Sequence, residues 1–594
     1  MTTCKDNPSP AAPPLASDGV SFADAFSREL LGARLAAVDD PSSHGAVLVK
    51  QNASRTIWRA RFDGHEVYVK HFHGRSLAHR VLAGVGVSHA RREARFFQAM
   101  AAAGLPTAKL LAWCASGRRQ WVCTLGVQDA TPGDVWHEQQ RSAGPAGLSR
   151  VRQATATLAR LVGHMHRAGI LHGDLHAGNV LVREEGGTPS PQLVLMDLHR
   201  MKVGRSLSRR AMAKNLSQLF HDRVEFTTRS DRMRFLVHYI EALRGGGEGS
   251  WREGTRRGWQ ILVEKYARPH SRRQFANRDR RVWGDGRYFT KLSLGGGWRG
   301  SAVLSSKFAL AGSRAATLTF TTADWQTALS DPAVLLDEST GELVKRSASG
   351  TVLRRRLRVG PHELDVYVKR PRRKRPWKVL IDCFRPARPM RAFALGHELL
   401  NRRLLTALPL ACLERRVGGV LLDSILVTET VDGNKLTPFL NTWLARPAKG
   451  DVPLTGSQQH HLAQQVLWQM GRMLQRLHDH NYAHRDLKSN NLIVRWSPGQ
   501  NAELVVLDLD GLKRQIRVSA RRRFQGLMRL NVSLLESPVV NHAGRLRMLL
   551  GYLRRPGSGR VAFKPYWRTL EDWSAKKLKQ QLKARQKRQR ATRR

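Results

Sequence analysis

Two segments of the chain carry the same polar residues at the same spacing. In HGDLHAGNVLV, Asn179 follows Asp174 by five residues, and in HRDLKSNNLIV, Asn491 follows Asp486 by five residues. Each segment leads into apolar runs that end on a further aspartate, 23 residues after the first aspartate in one copy and 22 in the other. An aspartate that orients a hydroxyl, followed by an asparagine and a second aspartate that bind metal, suits phosphoryl transfer from Mg-ATP. Because the set occurs twice, chance is a poor explanation for it.

The second aspartates are Asp197 in LVLMDLHR and Asp508 in LVVLDLDG. We expect Asp174 and Asp486 to be the catalytic residues, which accept or orient the proton of the acceptor hydroxyl. Polar side chains beside apolar, β-rich runs would be costly to bury without a function. The predicted ligands of Mg²⁺, which would enter the site together with ATP, are Asn179, Asp197, Asn491 and Asp508.

Upstream elements must position the nucleotide against these residues. An alternating strand ends at Lys70 in HEVYVK and at Lys369 in ELDVYVK. An amphipathic helix follows each strand, with Glu93 in SHARREARFFQAM and Glu398 in RAFALGHELLNRRLL. We expect the lysines to bind the α- and β-phosphates of ATP and the glutamates to hold the lysines by ion pairs. No G-x-G-x-x-G pattern precedes either lysine, so we predict no phosphate-loop residues.

The chain is strongly basic. Its net charge is +53, from 100 Lys and Arg residues against 47 Asp and Glu residues. Repulsion of this size indicates an anionic partner such as phosphate, acidic lipid or nucleic acid. The run from Lys576 to Arg594 holds ten basic residues and no acidic one. Charge alone does not choose between a membrane surface and nucleic acid. Because the charge is spread through the chain, no nucleic-acid-binding module is recognisable and the motifs described below match kinases with an anionic acceptor, we expect an anionic membrane surface and no specific nucleic acid as the partner.

Cysteine usage and hydropathy point to the cytoplasm. The five cysteines are scattered and form no CxxC pair, which favours neither a disulfide framework nor a zinc site. The first residues show no basic-then-apolar signal pattern. No stretch approaches the roughly 18 to 20 apolar residues that a membrane-spanning helix needs. We therefore expect a cytoplasmic protein, bound at most peripherally to a membrane.

Together these motifs resemble the lipopolysaccharide kinase family, the Kdo and core-heptose kinases of Gram-negative bacteria. The resemblance rests on VYVK with Lys70, on RREARFF followed by LPTAKLLA, on HGDLHAGNVLV and on LMDLHRMKV. The second unit, with VLDLDGLKR, resembles the same family and is closer to protein kinases at HRDLKSNN. The resemblance implies ATP-dependent phosphorylation of a sugar hydroxyl, on heptose or Kdo, in the lipopolysaccharide inner core. It also implies a location at the cytoplasmic face of the inner membrane.

The same resemblance implies an α+β fold with two tandem, bilobal, protein-kinase-like domains, each with a β-rich N-lobe and a helical C-lobe. The expected domains are residues 26–245 and 325–575. Residues 1–25 are rich in Pro, Ala and Ser and are expected to be disordered. Residues 246–324 form either a linker or a domain tail, and residues 576–594 form a basic tail.

Two alternatives stay open. Arg485, which precedes a catalytic aspartate, leans towards a Ser/Thr protein kinase, whereas Gly173 in the first unit leans towards small-molecule kinases. The other alternative is a pseudokinase-like binding module with a basic surface, and the complete set of Lys, Asp, Asn and Asp in both units argues against it. The sequence leaves open the acceptor sugar, the oligomeric state and whether both units are active.

Overall fold

The chain divides into two units, Met1–Arg272 and Arg273–Arg594. The computed structural model describes residues 15–17, 19–51, 54–73, 88–116, 119–184, 191–204, 206–220, 229–245, 255–306, 313–372, 385–445, 456–496, 502–535, 537, 540–554 and 561–592. In this part of the chain, no helix is both long and apolar enough to cross a membrane.

The first unit contains a seven-stranded sheet in which neighbouring strands are antiparallel. Its strands are β1 (Leu15–Ser17), β2 (Val20–Phe22), β3 (Val47–Gln51), β4 (Arg55–Phe62), β5 (His65–Phe72), β6 (Leu110–Ser116) and β7 (Arg119–Leu125). They lie in the order β1-β2-β6-β7-β5-β4-β3. Alternation along β5 buries Val67 and Val69 in one face of the sheet and directs Lys70 to the other.

Helices precede and follow this sheet in the first unit. They are α1 (Ala25–Leu31), α2 (Leu35–Asp39), α3 (His89–Ala102), α4 (Gly133–Ser142), α5 (Gly144–Arg167), α6 (Arg209–Phe220) and α7 (Arg229–Arg244). Helix α8 (Arg256–Arg280) begins in the first unit and ends in the second. The side chain of Ser88 caps the start of α3 by accepting a hydrogen bond from the backbone N–H of Arg91. Helix α5 packs along α7 in the core of the helical lobe.

Short strands flank the predicted catalytic and metal-binding residues of the first unit. They are β8 (Ala130–Pro132), β9 (Ile170–Leu171), β10 (Val180–Arg183), β11 (Gln192–Leu195) and β12 (Lys202–Val203). Strand β10 lies between β8 and β11, and β9 pairs with β12. Asp174 and Asn179 therefore lie on the loop between β9 and β10, and Asp197 lies just beyond β11.

The second unit repeats this architecture. Its large sheet contains β13 (Phe289–Leu294), β14 (Trp298–Val303), β15 (Glu342–Ser347), β16 (Gly350–Val359), β17 (His362–Pro371), β18 (Pro409–Val417) and β19 (Val420–Glu429). The order β13-β14-β18-β19-β17-β16-β15 is the order of the first sheet, counted from each unit's own first strand. The smaller sheets use β20 (Asn434–Lys435), β21 (Tyr482–His484), β22 (Leu492–Arg495), β23 (Glu503–Val506) and β24 (Leu512–Arg514).

The helices of the second unit complete its helical lobe. They are α9 (Thr322–Ala328), α10 (Arg388–Asn401), α11 (Leu436–Ala445), α12 (Gly456–Asp479), α13 (Ala520–Leu535), α14 (His542–Leu553) and α15 (Lys564–Thr592). The pairing of α12 with α14 repeats that of α5 with α7. The fold is α+β, with two kinase-like domains in tandem, as the resemblance implies.

Three segments differ from the domain limits expected from composition. Strand β2 lies within residues 1–25, expected to be disordered, and its Val20 and Phe22 are buried. Strands β13 and β14 lie within residues 246–324, and they are the first two strands of the second sheet. Helix α15 extends from Lys564 into the basic tail. Composition does not reveal these elements because each is ordered by strands or helices distant in sequence.

Candidate active sites

Three of the predicted residues meet in the first unit. The ammonium nitrogen Nζ of Lys70 lies 2.5 Å from Oε1 of Glu93 and 3.4 Å from Oδ1 of Asp197. Strand β5, helix α3 and the end of β11 thus bring together side chains that lie far apart in sequence. Glu93 is only 2% exposed, and a buried charge of this kind is costly unless it is paired. The ion pair fixes the position of the Lys70 ammonium group.

Asp197 is surrounded by basic side chains. Besides Lys70, Nη2 of Arg55 lies 3.3 Å from Oδ2 of Asp197, and Nδ1 of His199 lies 2.7 Å from Oδ1. Burial alone would raise the pKa of the Asp197 carboxyl. The hydrogen bond with His199 and the charges of Lys70 and Arg55 outweigh burial and hold that pKa well below its usual range. Asp197 is therefore ionised at any physiological pH, as a ligand of Mg²⁺ must be.

The loop with Asp174 is braced by its own asparagine. Nδ2 of Asn179 donates a hydrogen bond to the carbonyl oxygen of Asp174 at 2.9 Å. This contact uses the amide nitrogen and leaves the amide oxygen as the group that could bind a cation. His172 is buried, and its Nε2 lies 2.8 Å from the carbonyl oxygen of Met196, so it joins the loop to the strand before Asp197.

Two residues that the sequence analysis missed hold this loop from helix α6. Asn215 accepts a hydrogen bond from the backbone N–H of His172 at 3.2 Å and donates one to the carbonyl oxygen of His172. Gln218 donates to the carbonyl oxygen of Gly173 at 3.1 Å and accepts from the N–H of Leu175 at 3.0 Å. Their signal in the sequence is an Asn and a Gln three residues apart in NLSQL, on a helix whose other buried residues are apolar except for Ser217.

The catalytic loop of the second unit has the same internal geometry. Nδ2 of Asn491 donates to the carbonyl oxygen of Asp486 at 3.0 Å. The N–H of Asp486 donates to Nδ1 of His484 at 3.1 Å, as that of Asp174 does to His172 at 3.3 Å. In addition, Nζ of Lys488 lies 3.0 Å from Oδ1 of Asp486.

The ion pair predicted between Glu398 and Lys369 is absent. Glu398 instead accepts a hydrogen bond from the hydroxyl of Tyr482 and lies 3.5 Å from Nη1 of Arg514. Among the residues that the structure describes, Lys369 makes no ion pair. Burial lowers the pKa of the Lys369 ammonium group, although the nearby Asp508 opposes this shift. The prediction was wrong because Glu398 lies in the last turn of its helix, whereas Glu93 lies in the first half of the corresponding helix.

Glycine and arginine exchange places between the two catalytic loops. A Cβ atom on Gly173 would lie 2.1 Å from the carbonyl oxygen of Arg200, so no side chain fits there. In the second unit, Arg485 follows the histidine, and its N–H donates to the carbonyl oxygen of Gly511 at 2.9 Å. A Cβ atom on Gly511 would lie 2.7 Å from the ring of His484. Each unit thus has a glycine at the contact between the catalytic loop and the segment after the second aspartate. The glycine lies on the catalytic loop in the first unit and after the second aspartate in the second unit.

Comparison with known proteins gives one consistent result. The model of the lipopolysaccharide kinase (Kdo/WaaP) family matches residues 37–239 and again residues 346–552. The lipopolysaccharide core heptose(I) kinase WaaP of Pseudomonas aeruginosa is 27% identical over 208 residues, which are 33% of this chain and 77% of that protein. A solved structure of WaaP in complex with acyl carrier protein covers 42% of this chain and 98% of its own, at 23% identity and a TM-score of 0.32. The chain belongs to the lipopolysaccharide kinase (Kdo/WaaP) family, with the kinase domain present twice in tandem.

Proposed function

We propose that this protein uses Mg-ATP to phosphorylate a sugar hydroxyl, on heptose or Kdo, in the inner core of lipopolysaccharide. The observation that carries the proposal is the contact of Lys70 with both Glu93 and Asp197. This cluster presents a fixed ammonium group for ATP phosphates next to an ionised carboxylate that suits a hard cation. Family membership supports a phosphotransferase with lipopolysaccharide core as its acceptor.

Each of these residues has a separate role in the first unit. Lys70, held by Glu93, binds the phosphates of ATP. Asp174 accepts or orients the proton of the acceptor hydroxyl, and its loop is kept in place by Asn179. Asn179 and Asp197 would hold Mg²⁺, which supplies positive charge against the charge that develops on the transferred phosphoryl group.

The charge of the chain supports an anionic acceptor at a membrane surface. Kdo carboxylates and core phosphates are negatively charged, and the chain carries a net charge of +53. Such attraction raises the local concentration of a charged substrate and speeds its capture. We place the protein at the cytoplasmic face of the inner membrane as a peripheral protein.

Mass spectrometry of lipid A–core from cells with and without this protein tests the proposal. The expected result is the loss of a phosphate from heptose or Kdo when the protein is absent, and its return with the wild-type chain but not with Asp174→Asn. An unchanged core would contradict the proposal. Transfer from ATP to a protein serine or threonine, in the same cells, would favour the protein-kinase alternative.

A further inference from the structure

The positions of the two lysines establish which residues correspond between the units. Lys369 lies 299 positions after Lys70 (369 − 70 = 299). The helices that follow them, α3 and α10, end at Ala102 and Asn401, which are also 299 positions apart. The two helices have the same length of 14 residues. The lysine strands and these helices are therefore in the same register.

A threonine after each helix confirms the register. Thr107 donates a hydrogen bond to the carbonyl oxygen of Leu195 at 2.9 Å, and Thr406 donates one to that of Val506 at 2.6 Å. These threonines are again 299 positions apart. Leu105-Pro106 and Leu408-Pro409 are 303 positions apart, four more than in this register.

In this register, the residue that corresponds to Glu93 is Ala392. Ala392 lies in the first half of α10 and is 5% exposed. Its methyl group cannot pair with an ammonium group, and Lys369 makes no ion pair in the described part of the chain. The glutamate that holds the nucleotide lysine in the first unit is thus missing from the second.

The partners of the second aspartate differ as well. Strand pairing places Lys70 opposite Ile57 and Lys369 opposite Val352. Gly350 therefore corresponds to Arg55, because each lies two residues earlier on its strand. Asp510 corresponds to His199, since each lies two residues after the aspartate. The carboxylate of Asp197 has three cationic or hydrogen-bonding side chains around it, whereas Asp508 makes no ion pair with any described residue.

The backbone at the two aspartates also differs. Asp197 has a φ of 58°, in the left-handed region, and Asp508 does not have a positive φ. Nε2 of His484 lies 2.5 Å from the carbonyl oxygen of Asp508 itself, whereas His172 contacts the carbonyl oxygen of Met196, the residue before Asp197. The left-handed region costs conformational free energy for a residue with a side chain, although less for Asp than for most others. The contacts to its side chain in the first unit can offset that cost, and the second unit lacks them.

We infer that the first unit carries phosphoryl transfer and that the second binds nucleotide without transferring phosphate efficiently. The inference rests on the proposed function and assigns it to one of two sites. The second unit keeps Lys369, Asp486, Asn491 and Asp508, which are enough to bind Mg-ATP. It lacks the groups that position the lysine and the metal-binding aspartate. Losing such preorganisation costs about 10²–10³-fold in rate.

The test measures ATP consumption and transfer to lipid A–core by the full chain. Asp174→Asn should lower both by about 10²–10³-fold, because only the slower second unit then contributes. Ala392→Glu, introduced into the Asp174→Asn chain, should raise the residual rate by restoring a partner for Lys369. The matched control is Arg391→Glu in the same chain, which adds the same side chain at an exposed position of α10 and should leave the residual rate unchanged.

The outcomes separate the inference from the proposed function. If the Asp174→Asn chain keeps half or more of the wild-type rate, the inference is overturned. If Ala392→Glu gives no gain over Arg391→Glu, the missing glutamate is not what limits the second unit, and that step of the inference is overturned. If the wild-type chain consumes ATP without phosphorylating lipid A–core, the proposed acceptor is wrong, and the Asp174→Asn rate still decides between the units. Glu93→Ala in the otherwise wild-type chain should lower the rate of phosphoryl transfer by about 10²-fold. This variant tests the same contact in the first unit even if Ala392→Glu does not fold.

Discussion

Asp197 shows how single residues turn a common fold into a reaction site. Its carboxylate contacts Lys70, Arg55 and His199, and its backbone lies in the left-handed region. Lys70 and Arg55 lie more than a hundred positions from Asp197 in the sequence, whereas His199 lies only two positions away. In the proposed mechanism, these contacts would link nucleotide binding to metal binding through one side chain.

Asp197→Asn should therefore strongly reduce phosphoryl transfer while leaving the fold intact. The amide is neutral, so it attracts Mg²⁺ less and no longer balances the charges of Lys70 and Arg55. We expect a fall of about 10³-fold in transfer, measured over a range of Mg²⁺ concentrations. Circular dichroism and the unfolding midpoint provide the check on folding. Full activity in this variant at low Mg²⁺ would contradict the assignment of Asp197 as a metal ligand.

The close contact at Gly173 gives a second prediction at this scale. Gly173→Ala places a methyl group against the backbone of Arg200, and the overpacking should cost about 1–3 kcal/mol of unfolding free energy. It should also lower transfer, because Gly173 precedes Asp174. The control is Gly204→Ala, where an added Cβ meets nothing within 4 Å. Denaturant unfolding of both variants decides the matter, and equal midpoints would contradict the steric explanation.

At the scale of elements, each unit joins two long helices through a buried histidine and a tyrosine. Nδ1 of His166 lies 2.8 Å from the hydroxyl of Tyr239, and Nδ1 of His478 lies 2.9 Å from that of Tyr552. In the first unit, Nε2 of His166 also contacts Oδ1 of Asn215 at 2.9 Å. A tyrosine hydroxyl that donates to Nδ1 and a ring N–H that donates to Asn215 require a neutral ring. The helix pair thereby supports the residue that holds the catalytic loop.

These histidines should make both units sensitive to acid. Burial lowers the pKa of His166 and of His478 to about 4, against about 6.5 in an unfolded chain. The unfolded state binds a proton as the pH falls below 6.5 and the folded state does not, so stability falls with pH between 6.5 and 4. Each histidine should cost about 2 kcal/mol of unfolding free energy at pH 5 relative to pH 7.5.

Denaturant unfolding at the two pH values measures this loss. His166→Gln keeps a polar group but cannot titrate, so it should reduce the acid sensitivity of the first unit alone. The wild-type chain, unfolded under the same conditions, is the comparison. An unchanged pH dependence in His166→Gln would contradict the prediction.

Local patterns predicted the elements better than they predicted the register between elements. The lysine strands show an alternating pattern, and the Asp-Asn loops show a fixed spacing of polar residues. Both patterns are local, so these elements can be predicted from the sequence. The pairing of Glu398 with Lys369 was predicted wrongly because Glu398 lies in the last turn of its helix, and only the strand and helix register shows this. Asn215 and Gln218 were missed because their targets are backbone groups of a loop more than forty residues away.

At the scale of the whole molecule, charge is the dominant feature. The excess of basic residues is spread through both units and continues into α15, which ends at Thr592. The first part of this helix is packed, since Leu570 is buried and Leu578 contacts the core of the second unit. From Gln581 to Ala584 the helix is exposed. The packed and exposed parts can therefore be separated experimentally.

Removal of residues 583–594 should weaken binding to anionic vesicles and spare catalysis. The segment contains seven basic residues and no acidic one, and a basic residue near an anionic surface contributes about 1 kcal/mol. We therefore expect at least about a tenfold loss of affinity for vesicles that contain phosphatidylglycerol, with ATP consumption unchanged because Leu570 and Leu578 are retained.

Binding of the wild-type chain to anionic vesicles should fall steeply between low and physiological salt, since exposed charges are screened. Neutral phosphatidylcholine vesicles are the control and should bind both chains weakly. Equal affinity of the two chains for anionic vesicles would exclude this segment as the membrane contact, and tight sequence-selective binding to DNA or RNA at physiological salt would show that the basic surface serves nucleic acid instead.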